Sequence, residues 1–235
     1  MAGEREMKER AGGVLAIWND IRAGEEAAFE SWYRDEHFPE RLAVPGFRLG
    51  RRYEAVEGSP RYFCYYLTDT PATLVSPAYQ ARLNDPTART RHLMAEAFFN
   101  MSRTVCRRAL VAGAMTSGLA VTARFHAPVG APVGAPVDGP EDALVDPAAA
   151  RALVERLAGA AGVARAEWWT AADAQGARAR EEELRGGDRK IAHCLLVETL
   201  RADDARAVRA QIAQALGGAE LGIYALLCEL AAAPG

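Results

Sequence analysis

The residue types best suited to proton transfer are concentrated in residues 31–53, SWYRDEHFPERLAVPGFRLGRRY. The stretch holds one histidine, His37, which directly follows Glu36. An imidazole with an unperturbed pKa near 6.5 can accept or release a proton at neutral pH, and an adjacent carboxylate can orient it or raise its pKa. The pair is therefore predicted to supply a catalytic acid or base. The alternative interpretation is a structural histidine near a helix end, bonded to a carbonyl group or capping the helix.

Aromatic side chains accompany this pair, and such side chains commonly line pockets for apolar ligands. Phe29, Tyr33 and His37 recur at i, i+4 and i+8, a spacing that places them on one face of a helix. A nearby arginine is a candidate to stabilise negative charge on a ligand. The predicted substrate-binding residues are Trp18, Trp32, Tyr33, Arg52, Tyr53 and Tyr65. The alternative is that most of these aromatic residues simply form the core.

Strand geometry limits which candidates can act together. Successive side chains of a strand point to opposite faces of a sheet. In the strand predicted at 61–67, Tyr65 and Tyr66 therefore cannot face the same cavity. Arg51 and Arg52 are separated in the same way, so one of the two is expected to be solvated.

The elements that would position these residues follow one order, β-α-β-β-α-β, in each half of the chain. Apolar and aromatic runs between turn formers predict the strands, and Ser-Pro or Asp-Pro pairs predict helix starts. The first half has a strand at 13–21, a helix at 25–38 ended by Pro39, strands at 47–56 and 61–67, helices opened by Ser76-Pro77 and Asp85-Pro86 and reaching residue 100, and a strand at 103–111. The second half has a strand at 118–126, a helix from Asp146-Pro147 to 161, strands at 163–170 and 191–200, a helix at 203–216 and a strand at 221–230. This is the ferredoxin-like pattern, so we expect an α+β fold of two fused ferredoxin-like repeats that form one barrel.

Two local matches suggest an internal duplication. GFRLGRRY from Gly46 matches GVARAEWW from Gly162, and YFCYYL matches AHCLLV, which places Cys64 over Cys194. The offsets of the two matches differ, so the second copy is expected to carry insertions. The second copy has no counterpart of the segment around His37, and the site is predicted in the first copy alone.

The predicted domain organisation follows from this repeat. Residues 1–12 form a charged flexible tail, 13–112 the first ferredoxin-like repeat with the candidate site, 113–117 the junction, and 118–235 the second, diverged repeat. Two segments of the second repeat are predicted to be mobile surface loops because they are rich in small and turn-forming residues or in charge. They are residues 127–141 and 175–189.

The helix and turn residues of the first repeat resemble the EthD-like group within the dimeric α+β barrel superfamily. The residues that carry the resemblance are Trp32, Tyr33, Glu36-His37, Pro45-Gly46-Phe47 and Arg51-Arg52-Tyr53. The resemblance implies two four-stranded sheets that face each other as a barrel with helices outside, usually from two chains. Relatives include cofactor-free monooxygenases of polyketide quinones, polyketide cyclases, muconolactone isomerases and haem-binding chlorite dismutase-like proteins. It indicates a fold and leaves the reaction open, because one fold hosts many functions.

Composition narrows the class of partner. Lys and Arg number 28 against 31 Asp and Glu, a net charge of −3, which does not favour nucleic acid or an anionic membrane. The sequence shows neither a secretion signal nor a run of apolar residues long enough to cross a membrane, so a cytoplasmic protein, monomer or homodimer, is expected. The four cysteines are scattered in apolar runs and are predicted to be buried free thiols, without a disulfide or metal site.

The function predicted from these observations is a cofactor-independent enzyme for a small apolar or aromatic molecule, such as a carbonyl compound. His37 would act as acid or base, Trp32, Tyr33 and Tyr53 would shape the pocket, and Arg52 would steady negative charge. The first alternative is a non-catalytic small-molecule binding or interaction protein on the same barrel. A remote alternative is haem binding. The candidate haem ligands are His126 and His193, which lie in predicted strands of the second half.

Overall fold

One chain supplies all eight strands of a closed barrel. The computed structural model describes residues 12–126, 146–173 and 178–233. Neighbouring strands around the barrel follow the order β1-β3-β2-β8-β5-β7-β6-β4, and every neighbouring pair is antiparallel. The strands are β1 Gly13–Ile21, β2 Phe47–Glu57, β3 Tyr62–Thr68, β4 Phe98–Ala112, β5 Leu119–His126, β6 Val163–Ala171, β7 Ile191–Thr199 and β8 Glu220–Ala231. The α+β class predicted from the sequence is confirmed, and the barrel needs no strand from a second chain.

The two halves of the barrel share one strand order. The first four strands lie side by side as β4-β1-β3-β2, and the last four as β8-β5-β7-β6. A glycine with positive φ immediately precedes the second strand of each half, Gly46 before β2 with φ 88° and Gly162 before β6 with φ 77°. An L-residue with a side chain rarely adopts this conformation, so glycine is favoured at both turns.

Helices cover the outside of the barrel. Helix α1 (26–42) consists of an α-helical segment Glu26–Trp32, a π-helical turn Tyr33–His37 and a second α-helical segment Phe38–Leu42. Helix α3 (88–97) likewise passes from an α-helical segment Ala88–His92 into a π-helical turn Leu93–Ala97. The remaining helices are a 3-10 turn Pro71–Val75, α2 Pro77–Asn84, α4 Pro147–Ala158, α5 Arg180–Leu184 and α6 Ala202–Ala215.

The alternation of side chains along the strands creates separate cores inside and outside the barrel. The interior core includes Trp18, Phe63 and Tyr65, whereas Tyr62 and Tyr66 of the same strand β3 join the core under α1. A third, almost wholly aliphatic core lies under the helices of the second half. The predicted separation of Tyr65 from Tyr66 is confirmed. A cavity inside the barrel and a cavity under the helices would therefore be lined by different side chains.

Several local predictions need correction. Helix α1 does not end at Pro39 but continues to Leu42, because proline is tolerated in the first turn of the segment after the π-helical turn. The N-cap of α3 is Thr87, whose hydroxyl accepts a hydrogen bond from the Thr90 amide, and not Asp85. The caps predicted for α2 and α4 are correct, since the side chains of Ser76 and Asp146 accept bonds from amides two or three residues on.

The matched cysteines are not equivalent. Cys64 lies in the core under α1 and Cys194 in the barrel interior, so the two thiols occupy opposite faces of the sheet. The register pairs Phe47 with Thr68 in one half and Val163 with Thr199 in the other, which makes the residue after Cys194 the counterpart of Cys64. The local sequence match was one residue out of register.

Two predictions for the second half, a loop at 175–189 and a buried Cys228, need correction. Helix α5 lies within the segment 175–189 that was predicted as a loop, and its Glu181 is buried. Of the four cysteines, Cys228 is exposed on β8 instead of buried, because that end of the strand has little packed over it. Residues 1–11 and the whole of the predicted loop 127–141 lie outside the described residues. Within the described ranges, no helix is both long and apolar enough to cross a membrane.

Candidate functional site

The helix that carries His37 changes its hydrogen-bond pattern at that residue. The Phe38 amide donates to the Tyr33 carbonyl, a bond between residues i and i−5 that widens the turn. The wider turn brings residues five apart onto one face, and the imidazole of His37 stacks on the indole of Trp32 with 4.1 Å between ring centroids. Such π-helical turns are rare and occur frequently at functional sites.

The imidazole of His37 is enclosed by aromatic rings. Tyr33 and Tyr66 meet it edge-on, with centroid distances of 5.0 and 6.2 Å, and only 6% of the residue is exposed. Its Nδ1 atom is buried and has no hydrogen-bond partner in the described part of the chain. Burial, followed by the positive charge of Arg41 and other nearby arginines, holds the pKa of His37 well below 6.5. At neutral pH the ring is uncharged and can accept a proton.

A small cavity lies between this histidine and the outer face of the sheet. Its volume is about 20 Å³, which is room for one water molecule. Polar atoms of two further lining residues, Arg41 Nη1 and Tyr66 Oη, are buried and also have no hydrogen-bond partner among the described residues. The thiol of Cys64 is close to the Tyr66 hydroxyl, but a thiol is a weak partner. Three polar groups from α1 and β3 thus surround the same cavity unsatisfied.

The two donors at the cavity stay protonated. Burial, together with the neighbouring Cys64 and Tyr33, raises the pKa of Tyr66 well above 10, so its hydroxyl donates. Arg41 is held across the site by an ion pair of its Nη2 with the buried Glu181 of α5, while its Nη1 lies 3.9 Å from Glu40. The site therefore offers one proton acceptor and two donors.

The wall of the cavity carries an excess of positive charge. Besides Arg41, it includes Arg103, which donates to the Tyr79 hydroxyl at 3.0 Å, and Arg185, which pairs with the buried Asp188 at 2.7 Å. The lining itself thus holds three guanidinium groups and one carboxylate, Glu181, while Glu40 and Asp188 pair with Arg41 and Arg185 from outside it. An oxygen atom that gains negative charge in this cavity would be stabilised.

Glu36 does not touch His37. Its carboxylate accepts hydrogen bonds from Thr87 Oγ1 at 2.5 Å and Thr90 Oγ1 at 2.8 Å, and Thr90 Oγ1 accepts from Trp32 Nε1 at 2.9 Å. The predicted partner of the histidine is therefore linked to it only through the indole on which His37 stacks. Glu36 fixes Trp32, and Trp32 fixes the ring.

Arg52 lies on the same outer face of the sheet but beyond the cavity wall that the described residues form. Its two terminal nitrogens donate to Glu30 at 2.6 Å, and its Cζ lies 4.6 to 4.9 Å from the ring centroids of Phe29, Tyr33 and Tyr62. The guanidinium is thus committed to these contacts. The arginine that lines the cavity at His37 is instead Arg41, which was not among the residues predicted from the sequence.

Three of the predicted binding residues lie inside the barrel, on the other face of the sheet from His37. Trp18, Tyr53 and Tyr65 belong to the interior core and cannot share a cavity with the histidine. The hydroxyls of Tyr53 and Tyr65 lie 3.4 and 3.5 Å from Oε1 of the fully buried Glu198, which also pairs with Arg51 and Arg165. Burial, followed by the charge of Glu198, raises the pKa of Tyr65 to about 12, so this hydroxyl is no base at neutral pH.

The haem alternative fails a test of size. Cofactor pockets measure about 300–1,000 Å³, and the cavity at His37 has about 20 Å³ with Trp32, Tyr66 and Tyr79 packed around it. Of the two histidines in strands, His126 Nε2 lies 2.8 Å from Glu220 and His193 Nδ1 lies 3.3 Å from Thr170 Oγ1. No cluster of three or more His, Cys, Asp or Glu side chains suited to a metal ion occurs in the described ranges. The cavity at His37 does not fit a haem.

Comparison with known proteins supports the fold and leaves the reaction open. No protein-family model and no curated protein sequence matches the chain. Solved structures do match: an anthrone oxidase-like protein has a TM-score of 0.58 at 12% identity, over 96% of this chain and 94% of that one. A proposed monooxygenase from Fusobacterium nucleatum has a TM-score of 0.55 at 10% identity, over 94% and 95%. A proposed chlorite dismutase has a TM-score of 0.50 at 11% identity, over 93% and 95%. What the chain shares with these structures is the fold, a closed α+β barrel, and at these identities only the fold is shown.

Proposed function

We propose that this protein is an acid–base enzyme that removes a proton from a small aromatic or apolar molecule bearing a carbonyl or phenolic oxygen. The observation that carries the proposal is the convergence of His37 Nδ1, Arg41 Nη1 and Tyr66 Oη, all buried and without partners among the described residues, on one cavity. Buried polar groups are nearly always hydrogen-bonded, and exceptions in native structures call for an explanation. A ligand oxygen in this cavity would satisfy the two donors.

The chemistry assigned to each group follows from its protonation state. His37 is neutral and accepts the proton. Arg41 and Tyr66 donate to the oxygen on which negative charge develops, a type of stabilisation that is often the largest single contribution to catalysis. Proton transfer of this kind is performed by the side chains themselves. Glu36 and Trp32 act as positioning residues for the imidazole.

The cavity limits how a substrate can enter. About 20 Å³ holds the reacting oxygen but not an aromatic ring, so side chains must move when a substrate binds. Met94 and Met101 line the cavity, and methionine is unbranched and adapts readily to new shapes. Met94 lies in the second π-helical turn, at the end of α3. We assign the substrate ring to the space that these two side chains occupy.

The test is isotope exchange. The first substrate to try is an anthrone, because one solved structure of the same fold is described as anthrone oxidase-like. In D₂O the enzyme should speed exchange of the hydrogens on the carbon that loses a proton, measured by NMR in the absence of oxygen. His37→Ala should lower the exchange rate by about 10²–10⁴. The exposed His92→Ala is the matched control and should keep the rate. Exchange by His37→Ala at the rate of the unaltered protein would refute the proposal.

A non-catalytic binding protein is the second candidate, and the small volume of the cavity favours it. Donors held in a closed cavity can retain a ligand without turning it over. This hypothesis predicts that aromatic carbonyl compounds raise the melting temperature of the protein. It also predicts that none of them undergoes hydrogen exchange or conversion, and that His37→Ala changes stability alone. The same isotope experiment therefore separates the two candidates.

We further propose that the chain arose by fusion of two ferredoxin-like units, of which the EthD-like first unit kept the site. The common strand order of the two halves and the paired glycine turns at Gly46 and Gly162 support this. Helix α4, which occupies the place of α1 in the second half, has neither a π-helical turn nor a histidine. If the halves are related, residues 13–112 and 118–235 of homologous chains should align with one another across the barrel.

A further inference from the structure

A second pocket lies at one mouth of the barrel, away from His37. Its volume is about 320 Å³, within the range of small-molecule sites. It is bounded by the β2–β3 turn, the beginnings of β4 and β8 and the end of β5. The residues that line it include Ser59, Asn100, Ser102, Arg124, Arg189 and Glu220. None of its lining residues also lines the cavity at His37.

Arg124 is the principal polar group of this pocket. The residue is 2% exposed, its Nη2 donates to the Ser59 carbonyl at 2.7 Å, and the same nitrogen lies 3.0 Å from Glu220. Its Cζ lies 5.0 Å from the ring centroid of Trp18 in the barrel interior. A buried guanidinium is costly unless it is paired, and the Ser59 carbonyl and Glu220 supply partners for Nη2 of Arg124.

Several buried polar atoms around Arg124 have no hydrogen-bond partner within the described ranges. Those on β5 include Oγ1 of Thr122 and the ring nitrogens of His126, and three donors among these atoms are Nε of Arg124 itself, Oγ of Ser102 and Nε1 of Trp18. The guanidinium and indole nitrogens can only donate, and the serine hydroxyl can also donate. These three donors therefore lack an acceptor. A ligand that supplies oxygen acceptors would satisfy these atoms.

The charge of the pocket points to an anion. Arg189 is held at the rim, since the β-bridge between residues 102 and 189 places it beside Ser102. Its Nη2 lies 3.3 Å from Glu220. The ionisable lining residues are thus Arg124, Arg189 and Glu220, two cations and one carboxylate. Among the lining residues the cations exceed the acids by one, and Asp20, outside the lining, accepts a hydrogen bond from Asn100 at 2.9 Å.

From these contacts we infer that the barrel mouth is a binding site for a small organic or inorganic oxyanion, a carboxylate or a phosphate. The oxyanion accepts hydrogen bonds from Arg124, Ser102 and Arg189. Charge-assisted bonds from guanidinium groups to carboxylate or phosphate are about twice as strong as neutral ones. This site is independent of the function proposed for His37, because the two cavities share no lining residue.

The experiment uses matched probes of known charge. Acetate and inorganic phosphate are titrated into the ¹⁵N-labelled protein, with acetamide as the uncharged analogue of acetate. The indole N–H resonance of Trp18, identified with Trp18→Phe, reports binding under Arg124. We expect at least one of the two anions to shift this resonance in a saturable manner and acetamide to leave it unchanged. A shift by acetate alone or by phosphate alone identifies which oxyanion the pocket selects.

Variants decide whether the pocket is responsible. Arg189→Gln and Ser102→Ala should each weaken anion binding by about tenfold. Both should fold, because the Arg189 side chain is 56% exposed and the Ser102 hydroxyl forms no hydrogen bond within the described residues. His37→Ala should bind the anion as the unaltered protein does. The inference is overturned if neither anion saturates, if acetamide acts like acetate, or if both pocket variants keep full affinity.

Discussion

The imidazole of His37 and the indole of Trp32 stack with 4.1 Å between their centroids and 29° between their planes, although five positions separate them in the helix. In a regular α-helix residues i and i+5 diverge around the axis, whereas the π-helical turn Tyr33–His37 brings them together. The departure from regular helix geometry thus positions the neutral His37 ring against the cavity.

The link from Glu36 through Thr90 to Trp32 can be tested by removing one hydroxyl. Thr90→Val keeps the shape of the side chain but leaves Trp32 Nε1 without its acceptor at 2.9 Å and Glu36 without one donor. We expect the free energy of unfolding to fall by about 1–3 kcal/mol, measured in urea. Thr90→Ser retains the hydroxyl and should recover most of that loss. Equal stability of the Val and Ser variants would show that the hydrogen bonds do not matter.

Stability should depend on pH through His37. Burial and nearby arginines lower the pKa of the folded-state imidazole well below 6.5, so below that pH the unfolded chain binds a proton that the folded chain does not. Stability is therefore unaffected by His37 above pH 6.5 and falls as the pH drops from there towards the lowered pKa. The slope is up to about 1.4 kcal/mol per pH unit.

The comparison of two variants isolates this effect from the titration of carboxylates. His37→Gln should flatten the curve of unfolding free energy against pH below 6.5, whatever its stability at neutral pH. His92→Gln, on an exposed ring, should leave the shape of the curve unchanged. A His37→Gln curve parallel to that of the unaltered protein would mean that the imidazole already titrates normally when folded.

The architecture could be predicted because it depends on local periodicity. Alternation along β3 and β2 correctly separated Tyr65 from Tyr66 and Arg51 from Arg52, since strand geometry fixes which way each side chain points. The expectation that one of the two arginines is solvated was wrong, because each is buried and paired with a glutamate. The spacing of Phe29, Tyr33 and His37 also placed them correctly on one helix face.

The composition of the site could not be predicted in full. Arg41 reaches the cavity because a partner 140 residues away, Glu181, holds it, and no local pattern encodes such a pair. The adjacency of Glu36 and His37 suggested a direct contact, yet neighbours in a helix point about 100° apart. Alternation separated Tyr66 from Tyr65 but could not place Tyr66 at the cavity, because that depends on the helix packed over the strand and on the lack of another partner for its hydroxyl among the described residues.

The four cysteines should differ sharply in reactivity. Cys64, Cys106 and Cys194 are buried, and burial raises the pKa of Cys64 to about 12, so few of these thiols ionise. Cys228 is exposed. A thiol reagent added to the folded protein should label Cys228 alone, as peptide mass spectrometry would show, and all four after unfolding. Cys228→Ser should then remain unlabelled until it unfolds. Labelling of Cys64 in the folded protein would indicate that the space under α1 opens to solvent.

The ion pair between Arg41 and Glu181 ties α1 to α5 beside the cavity, and its energy can be measured with a double-mutant cycle. Both side chains are almost fully buried, so removing one partner leaves the other charge unpaired, which costs about 3–5 kcal/mol. Arg41→Met and Glu181→Gln should each show such a loss. The double variant should be more stable than the sum of the two losses implies, because no unpaired charge is left.

The exposed pair Arg180 and Glu183 on the same helix is the control, and its cycle should give a coupling of at most about 1 kcal/mol. Additive losses at Arg41 and Glu181 would mean that α5 does not hold the arginine, and the donor assigned to the cavity would lose its support.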